Sequence, residues 1–499
     1  LTLTSKYLIV VDADTKYNQA GAFFMLLNYQ YRAYPDTKQK IQLSEWLRIG
    51  RYWYNYQLGD RFNWWEHNRD YAVFPQGEFC QISCSLPPLT LRDNPNYYSQ
   101  KKLLPSLKKD FVRVKHSGEL LDYTKLPSQT MQDISRRVGI AFDRFLAGDS
   151  NGKRSGKPRF KNTASFRTLK IEGQAITIER TEKDWLFISA SKLFGWLKIR
   201  LHRPLPQGFQ LKNILFTHKA DGWYATIALF DPTVPTFNLD DVIPTWDNSL
   251  GMDAVLFEDD YLATSQNTKL PSVKSFRKNQ IRLASASKRK ATKKKGSKSR
   301  RKLALREGRH HQRIARSRKD HAYKTAHAII RTGKKVFYHE DLNLRGLTKR
   351  NKVKKDQDGK FVSNRQSAKS GLNKSWNDAA FGQFFTTLGY IASKAGAVVV
   401  KVNPAYTSML LSYRDEFVFT DCSIRNYFDP QESLNVDRDI NSAVNIKRVG
   451  LGLFPTIKRR KGNPVVGEST TNSTSKEVLA ALRDVPEAYT VFGNPNRCR

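Results

Sequence analysis

FDPQESLNVDRDINSAVNI, residues 428–446, holds the decision about the fold. Asp437 and Asp439 stand two apart in front of a run that reads as a helix. Upstream, Asp429 and Glu432 stand three apart, a spacing more usual for metal-binding cysteines. The acids are therefore surface decoration, a metal site, or one intact site beside the remains of another. The surrounding chain has 499 residues, enough for two or three domains, and 85 Lys plus Arg against 46 Asp plus Glu give it a net charge of +39. Such a balance points to a polyanionic partner. Four cysteines, Cys80, Cys84, Cys422 and Cys498, argue against a disulfide scaffold. With no apolar run near membrane-spanning length and no secretory signal, a reducing, cytoplasmic setting is expected.

The first methionine is Met25, and segment 1–24, with two lysines and two aspartates, differs from the basic remainder. It reads as upstream sequence or as part of the working protein. MLLNYQYRAYP, from Met25, alternates like a strand and stops at Pro35. Ile41, Leu43, Trp46, Leu47, Tyr54 and Leu58 then recur at helical spacing. Met131, Ile134, Val138 and Phe142 share one face of a second helix that Gly148 would stop. A helical domain is expected over 36–155. After the basic, glycine-containing stretch NGKRSGKPRFKN, short alternating segments separated by turns predict an antiparallel barrel or sandwich reaching about 235.

SLGMDAVLFEDDYLATS, 249–265, reads as two strands and a turn. Residues 288–319 then carry 16 Lys or Arg and one acid, Glu307, with His310, Ile314 and Ala315 giving the periodicity of a helix lying on phosphate. A buried strand ending at Glu340, a basic loop over 345–374, the helix FGQFFTTLGYIASKAG and the strand AVVVKVNP complete an α/β pattern. The sequence after Gly450 is expected to be flexible. Asp253, Glu340 and Asp439 each fall at a strand end or helix start. Phosphodiester cleavage needs carboxylate oxygens for hard divalent ions, and three convergent acids suit two of them. Taken singly, Asp439 could be an N-cap, Glu340 a strand end and Asp253 a turn residue.

Several motifs in order carry a resemblance over about 26–448: YRAYPDTKQKIQL and RYWYNYQL, GKPRFKNTASFRTLKI and LKIRLHRPLP, HQRIARSRKDHAYKTAH, HEDLNLRGL, KVNPAYTS and DRDINSAVNI. The chain resembles the TnpB proteins of insertion sequences and the related type V CRISPR effectors, RNA-guided DNA endonucleases. The resemblance implies a multidomain α/β protein. A small β-barrel (wedge) domain comprises 25–35 and 156–246, with the helical recognition domain 36–155 inserted, and a RuvC-like, RNase H-fold nuclease spans 247–448. It implies Asp253, Glu340 and Asp439 as catalytic and magnesium-binding, with Asp437 as a supporting or capping acid. The implied partners are a guide RNA and double-stranded target DNA beside a short flanking motif read by the protein. The setting would be a prokaryotic nucleoid, with no membrane. Candidate phosphate contacts are Lys157, Arg159, Lys161, Arg203, Lys293, Lys294, Arg313 and Arg316, with Phe160 or Trp53 stacking on a base.

Two departures matter. Relatives carry a four-cysteine zinc ribbon, here expected about 405–436, but its ligand places are Leu411, Arg414, Asp429 and Glu432. No zinc is expected, and Arg414 pairing with one of the acids would replace the metal as a clasp. Relatives also follow the first acid with an apolar residue and Gly, where this chain has Ala254 and Val255, so the metal-binding strand could be altered. Two rivals remain. A nuclease-attenuated RNA-guided DNA-binding protein would show loss of an acid, which the sequence lacks; a transposase without RNA would purify without a guide.

Overall fold

The computed structural model describes residues 25–72, 93–114, 117–148, 154–180, 184–231, 242–421, 423–460, 463–467 and 475–483. Segment 1–24 and all four cysteines lie outside them. The chain divides into two compact units, Leu1–Val234 and Pro235–Arg499.

The first unit is built on seven antiparallel strands: β1 (Met25–Tyr34), β2 (Thr168–Glu172), β3 (Ile176–Arg180), β4 (Trp185–Ala190), β5 (Leu197–Arg200), β6 (Gln210–Lys219) and β7 (Gly222–Asp231), in the order β2-β6-β7-β1-β5-β4-β3. The edge strands β2 and β3 are joined by a single three-residue turn, Gly173–Ala175, which curls the sheet nearly closed. Gly173 lies so close to the backbone of Leu211 that an added Cβ would stand 2.6 Å from its carbonyl oxygen. Alternation fixes the inside: in β4, Leu186, Ile188 and Ala190 are buried while Trp185, Phe187 and Ser189 are not. Between β1 and β2 the chain forms α1 (Thr37–Ala72) and α2 (Ser128–Leu146). The predicted stripe Met131, Ile134, Val138 and Phe142 is fully buried, and Gly148 takes φ +100° just past the helix end. On α1, Leu43, Trp46, Tyr54 and Leu58 are buried, but Leu47 is half-buried and Ile41 is 67% exposed, on the side away from this core.

The second unit centres on five strands: β8 (Ser249–Ala254), β9 (Asp260–Thr264), β10 (Thr268–Pro271), β11 (Val336–Glu340) and β12 (Val398–Val402), in the order β10-β9-β8-β11-β12. The first three form an antiparallel meander; β11 and β12 join parallel to β8. One face of the sheet packs Leu250, Met252 and Phe337 against α4 (Lys298–Ile330) and α6 (Phe381–Lys394). The other packs Val336, Tyr338 and Ala263 beneath α7 (Arg438–Gly450). Both faces are covered, so β8 reads as a continuous buried run rather than an alternating one.

Three expectations change. The basic run is not one helix: α3 (Ser275–Ala291) and α4 meet at a turn where Gly296 takes φ +85°, and of its periodic residues Ile314 is buried while Ala315 is exposed. The basic loop over 345–374 contains a short turn at Leu344–Leu347, a two-residue hairpin and the start of α5 (Gln366–Ala379), whose buried Asp378 accepts the N–H groups of Phe276 and Arg277 at 2.7 and 2.9 Å. The stretch after Gly450 is not uniformly loose: α8 (Ser475–Arg483) buries Val478 and Leu482 among Leu411, Ile440 and Val444. Among the described residues no helix is long and apolar enough to cross a membrane.

Candidate active site

Parallel pairing sets Met252 opposite His339, which brings Asp253 and Glu340 level at the carboxyl ends of two adjacent central strands. Such strand ends are where open α/β sheets present functional groups. Gly251 lets α7 approach from above: a Cβ there would stand 2.0 Å from the Ala443 carbonyl oxygen. Asp439, in the first turn of α7, is thereby laid over the same sheet end. The electrostatics record the convergence. Burial, then the charge of Glu340, then that of Asp439 push the Asp253 carboxyl well above the usual range. Burial likewise raises Glu340 to about 7, opposed by its hydrogen bond with Asp253. Next door, burial lowers His339 to about 4, and its ring stacks on Phe385 at 3.8 Å, so it is a neutral spacer at neutral pH.

Asp437 caps α7, its carboxylate accepting the N–H groups of Asp439 and Ile440 at 2.9 and 3.1 Å. Asp439 is held by two cations that the sequence reading missed. Arg425 Nη1 meets one carboxylate oxygen at 3.1 Å, and Lys269 Nζ meets the other at 3.3 Å while also reaching Asp437 at 2.7 Å and Asp260 at 3.2 Å. The signal for Lys269 is in the meander: Asp253 pairs with Ala263 and Ala263 with Lys269, so all three share a face. Small Ala263 leaves the lysine room to reach across. Among the described residues, no three His, Cys, Asp or Glu side chains stand close enough together to hold a metal ion. The acids lie toward one sheet end, with Asp439 paired to Lys269 and Arg425. The donors are nonetheless all carboxylate oxygens, the set a hard divalent cation takes, and the neighbouring negative charge that helps burial to raise Asp253 is what such a cation would relieve.

The body of α7 is anchored by polar side chains. Asn441 donates to Leu410 O and accepts from Ser412 N–H, both at 2.8 Å; Asn445 donates to Thr407 O at 2.9 Å. Spaced four apart, the two asparagines share one helix face, which is the sequence signal for this anchor. Arg448 closes it with a fully buried ion pair to Asp415 at 2.7 Å. Val255 fits without strain: its φ is not positive, its N–H donates to Tyr261 O at 3.0 Å, and its side chain is buried against α7. The departure from Gly is thus accommodated as core.

At the ribbon positions Leu411 is fully buried and Arg414 Nη2 stands 2.6 Å from the buried Asp429 carboxylate. Tyr413 donates its hydroxyl to the same carboxylate at 2.6 Å, and Gln431 its N–H at 3.0 Å. Burial works to raise Asp429, but Tyr413, these backbone donors and Arg414 outweigh it and hold the carboxyl below its usual range. Glu432 turns instead to Arg483 of α8, at 2.8 Å.

The nucleic-acid candidates divide. Trp53 is fully buried, donating its indole N–H to Met131 O at 3.1 Å, and so cannot stack on a base; helical spacing put it on the core side of α1. Lys157 pairs with Glu66 at 3.0 Å and lies over the Phe62 ring, and the Lys161 side chain lies over Tyr54. Phe160 is 57% exposed, and Arg159, Arg203, Lys293, Lys294, Arg313 and Arg316 are exposed, with Arg203 stacked 3.8 Å over Tyr29.

Three family models match in chain order: a helix-turn-helix domain over 25–70, a "Probable transposase" over 247–351 and a Cas12f1-like TNB domain over 381–446. A "Putative RNA-guided DNA endonuclease" of Streptomyces pristinaespiralis is 25% identical over 470 residues, covering 91% of this chain and 97% of the relative. InsQ of Escherichia coli K12, described in the same words, is 26% identical over 388 residues, covering 76% and 89%. A solved Cas12f1–sgRNA–target DNA complex aligns over 83% of both chains at 10% identity with a TM-score of 0.44.

Proposed function

We propose that this chain, a relative of the transposon-encoded TnpB proteins and the compact type V effectors, is an RNA-guided DNA endonuclease. The observation that carries the proposal is the strand register that sets Asp253 level with Glu340 at one end of the five-stranded sheet, with Asp439 of a third, distant segment near enough for its charge to act on Asp253. The strand order β10-β9-β8-β11-β12, a meander joined by two parallel strands, supports a RuvC-like nuclease of RNase H type over 247–448. The curled seven-stranded sheet supports a wedge barrel, with the helices between β1 and β2 as its recognition insert. A guide RNA pairs with one strand of the target, the protein reads a short flanking motif, and the work is done at the nucleoid.

Asp253, Glu340 and Asp439 would hold magnesium, two ions for three acids, whose chemistry is to activate water and to stabilise the leaving oxygen of the phosphodiester. The remaining work belongs to the chain. Gly251 admits α7, Asp437 fixes its first turn, and Asn441 and Asn445 set its height over the sheet. Lys269 and Arg425 hold Asp439 in place and offset its charge. The ribbon keeps its shape through Arg414 and Asp429, without zinc.

The test is cleavage of a plasmid library randomised beside a fixed target, by protein co-expressed with its genomic flank, in magnesium, against Asp253→Ala. Cleavage lost in the variant, with one flanking motif depleted, is expected. Guided binding without cleavage by the unaltered chain would replace this reading with a nuclease-attenuated binding protein. A preparation free of RNA would replace it with DNA chemistry that needs no guide.

A further inference from the structure

Lys269 stands among three carboxylates. From β10, its Nζ lies 2.7 Å from Asp437, 3.2 Å from Asp260 and 3.3 Å from Asp439. An ammonium group has three N–H donors, one for each acid. Arg425, the other cation on Asp439, is placed differently. Among the described residues it forms an ion pair with Asp439 alone, at 3.1 Å, and its guanidinium is braced 4.2 Å from the centroid of the Phe257 ring. The lysine therefore has other acids to turn to, and its contact with Asp439 is the longest of its three.

Between them the two cations claim both oxygens of Asp439, Arg425 the Oδ1 and Lys269 the Oδ2. A magnesium ion binds a carboxylate oxygen at about 2.0–2.1 Å. At either oxygen a doubly charged ion would share its ligand with a singly charged group, and with the Asp439 side chain only 10% exposed, water screens that repulsion poorly. One cation has to give way. A compact ammonium on a flexible four-carbon stem moves more readily than a planar guanidinium held against a ring. With Asp437 and Asp260 in reach, Lys269 also keeps its charge paired when it leaves Asp439. Asp437 does not compete for the ion, because one of its oxygens accepts the two N–H groups that start α7 and the other meets Lys269.

We propose that Lys269 is a built-in rival of the divalent ion: it pairs with Asp439 until the ion takes that carboxylate, then stays with Asp437 and Asp260. It is a positioning residue, acting on the reaction through Asp439. The proposal rests on the reading of the three acids as metal-binding and names what limits their affinity. It is tested on the full chain freed of nucleic acid, following the thermal midpoint from chelator through a titration with Mg2+ alone. Asp253→Asn marks the part of the rise that belongs to the acids, and mass action converts that part to a dissociation constant. Lys269→Met removes the charge and nearly keeps the length. In chelator its midpoint should fall, because three acids lose a shared counter-charge, while its Mg2+ dissociation constant should drop roughly 3- to 30-fold. Lys269→Arg keeps the charge and should bind Mg2+ as the unaltered chain does. A dissociation constant unchanged or raised in Lys269→Met would overturn this inference, since the lysine would then be no rival. An equal gain in Lys269→Arg would also overturn it, because packing rather than charge would be the cause. Tighter Mg2+ binding in Lys269→Met by a chain that cleaves no target would strike the endonuclease reading and leave this inference standing. An unaltered chain without any Mg2+-dependent rise would overturn this inference together with the metal-binding reading.

Discussion

Single side chains in the candidate site carry measurable costs. Glu340 is held at about 7 in the fold against an ordinary value of 4.5. A carboxyl raised in this way gives the fold a relative stability that is complete below about pH 4.5 and lost as pH rises through about 7, on the order of 3 kcal/mol. Glu340→Gln removes the titration. In metal-free buffer the unaltered chain should therefore lose that amount relative to the variant between pH 4.5 and 8, as read by urea unfolding at several pH values. Parallel pH curves for the two proteins would show that Glu340 is not strained. Gly251 makes a second case, since its Cα faces the backbone of α7. Gly251→Ala drives a methyl into the Ala443 carbonyl and should cost 1–3 kcal/mol or more, in order-of-magnitude terms, together with a fall in cleavage as α7 lifts Asp439 from the other acids. Unchanged stability would mean that the helix can slide at no cost.

At the scale of elements, what could be read in the sequence was what local pattern determines. The stripe of α2 and the alternation of β4 each bury the residues their periods select, so helix and strand were legible there. By contrast, α8 has two deeply buried apolar residues, Val478 and Leu482, in a polar surrounding; its burial comes from a groove made by Leu411, Ile440 and Val444, far away in sequence. The polar helix α5 is likewise tied in by Asp378, which meets the start of α3 and Arg318 of α4 at 3.0 Å. The three candidate acids stand out in the sequence because each falls near a strand end or a helix start, whereas Lys269 and Arg425 come to Asp439 only through folded register. The ribbon illustrates the same limit. The loss of cysteines is visible in sequence, but only the fold shows that Asp429 pairs with Arg414 and Glu432 with Arg483. Asp429 is buried, so Arg414→Ala should cost about 3 kcal/mol, while replacing both partners by apolar residues of similar size should cost less than the sum of the single changes. Denaturant midpoints for the four proteins decide this. Metal analysis showing one zinc per chain, lost on changing Asp429, would replace the clasp with a metal knuckle.

For the whole molecule, the net charge of +39 becomes a statement about binding only when tied to particular surfaces. In the second unit the charge concentrates on α3, α4 and their connecting turn. One lysine there is neutralised by the single acid of the run, Lys290 by Glu307, and the C-terminal part of α4 packs Ala322, Ala326 and Ile329 with α6, while Ile281 of α3 and Leu305 of α4 stay exposed. Lys293, Lys294, Arg313 and Arg316 face outward. Reversing all four to Glu alters exposed positions and should change stability by no more than about 0.5 kcal/mol per position. If these residues lie on phosphate, each lost contact removes ~0.7 from the salt slope for a single strand or ~0.9 for a duplex. The quadruple variant should then lower the slope of log K against log salt by about 2.8 on single-stranded RNA, or about 3.6 on duplex DNA. Titrations with both probes distinguish the two strands of the question, because the basic run contacts whichever nucleic acid shows the fall. A slope unchanged on both would mean that the positive charge of these helices serves solubility and that affinity resides on other surfaces.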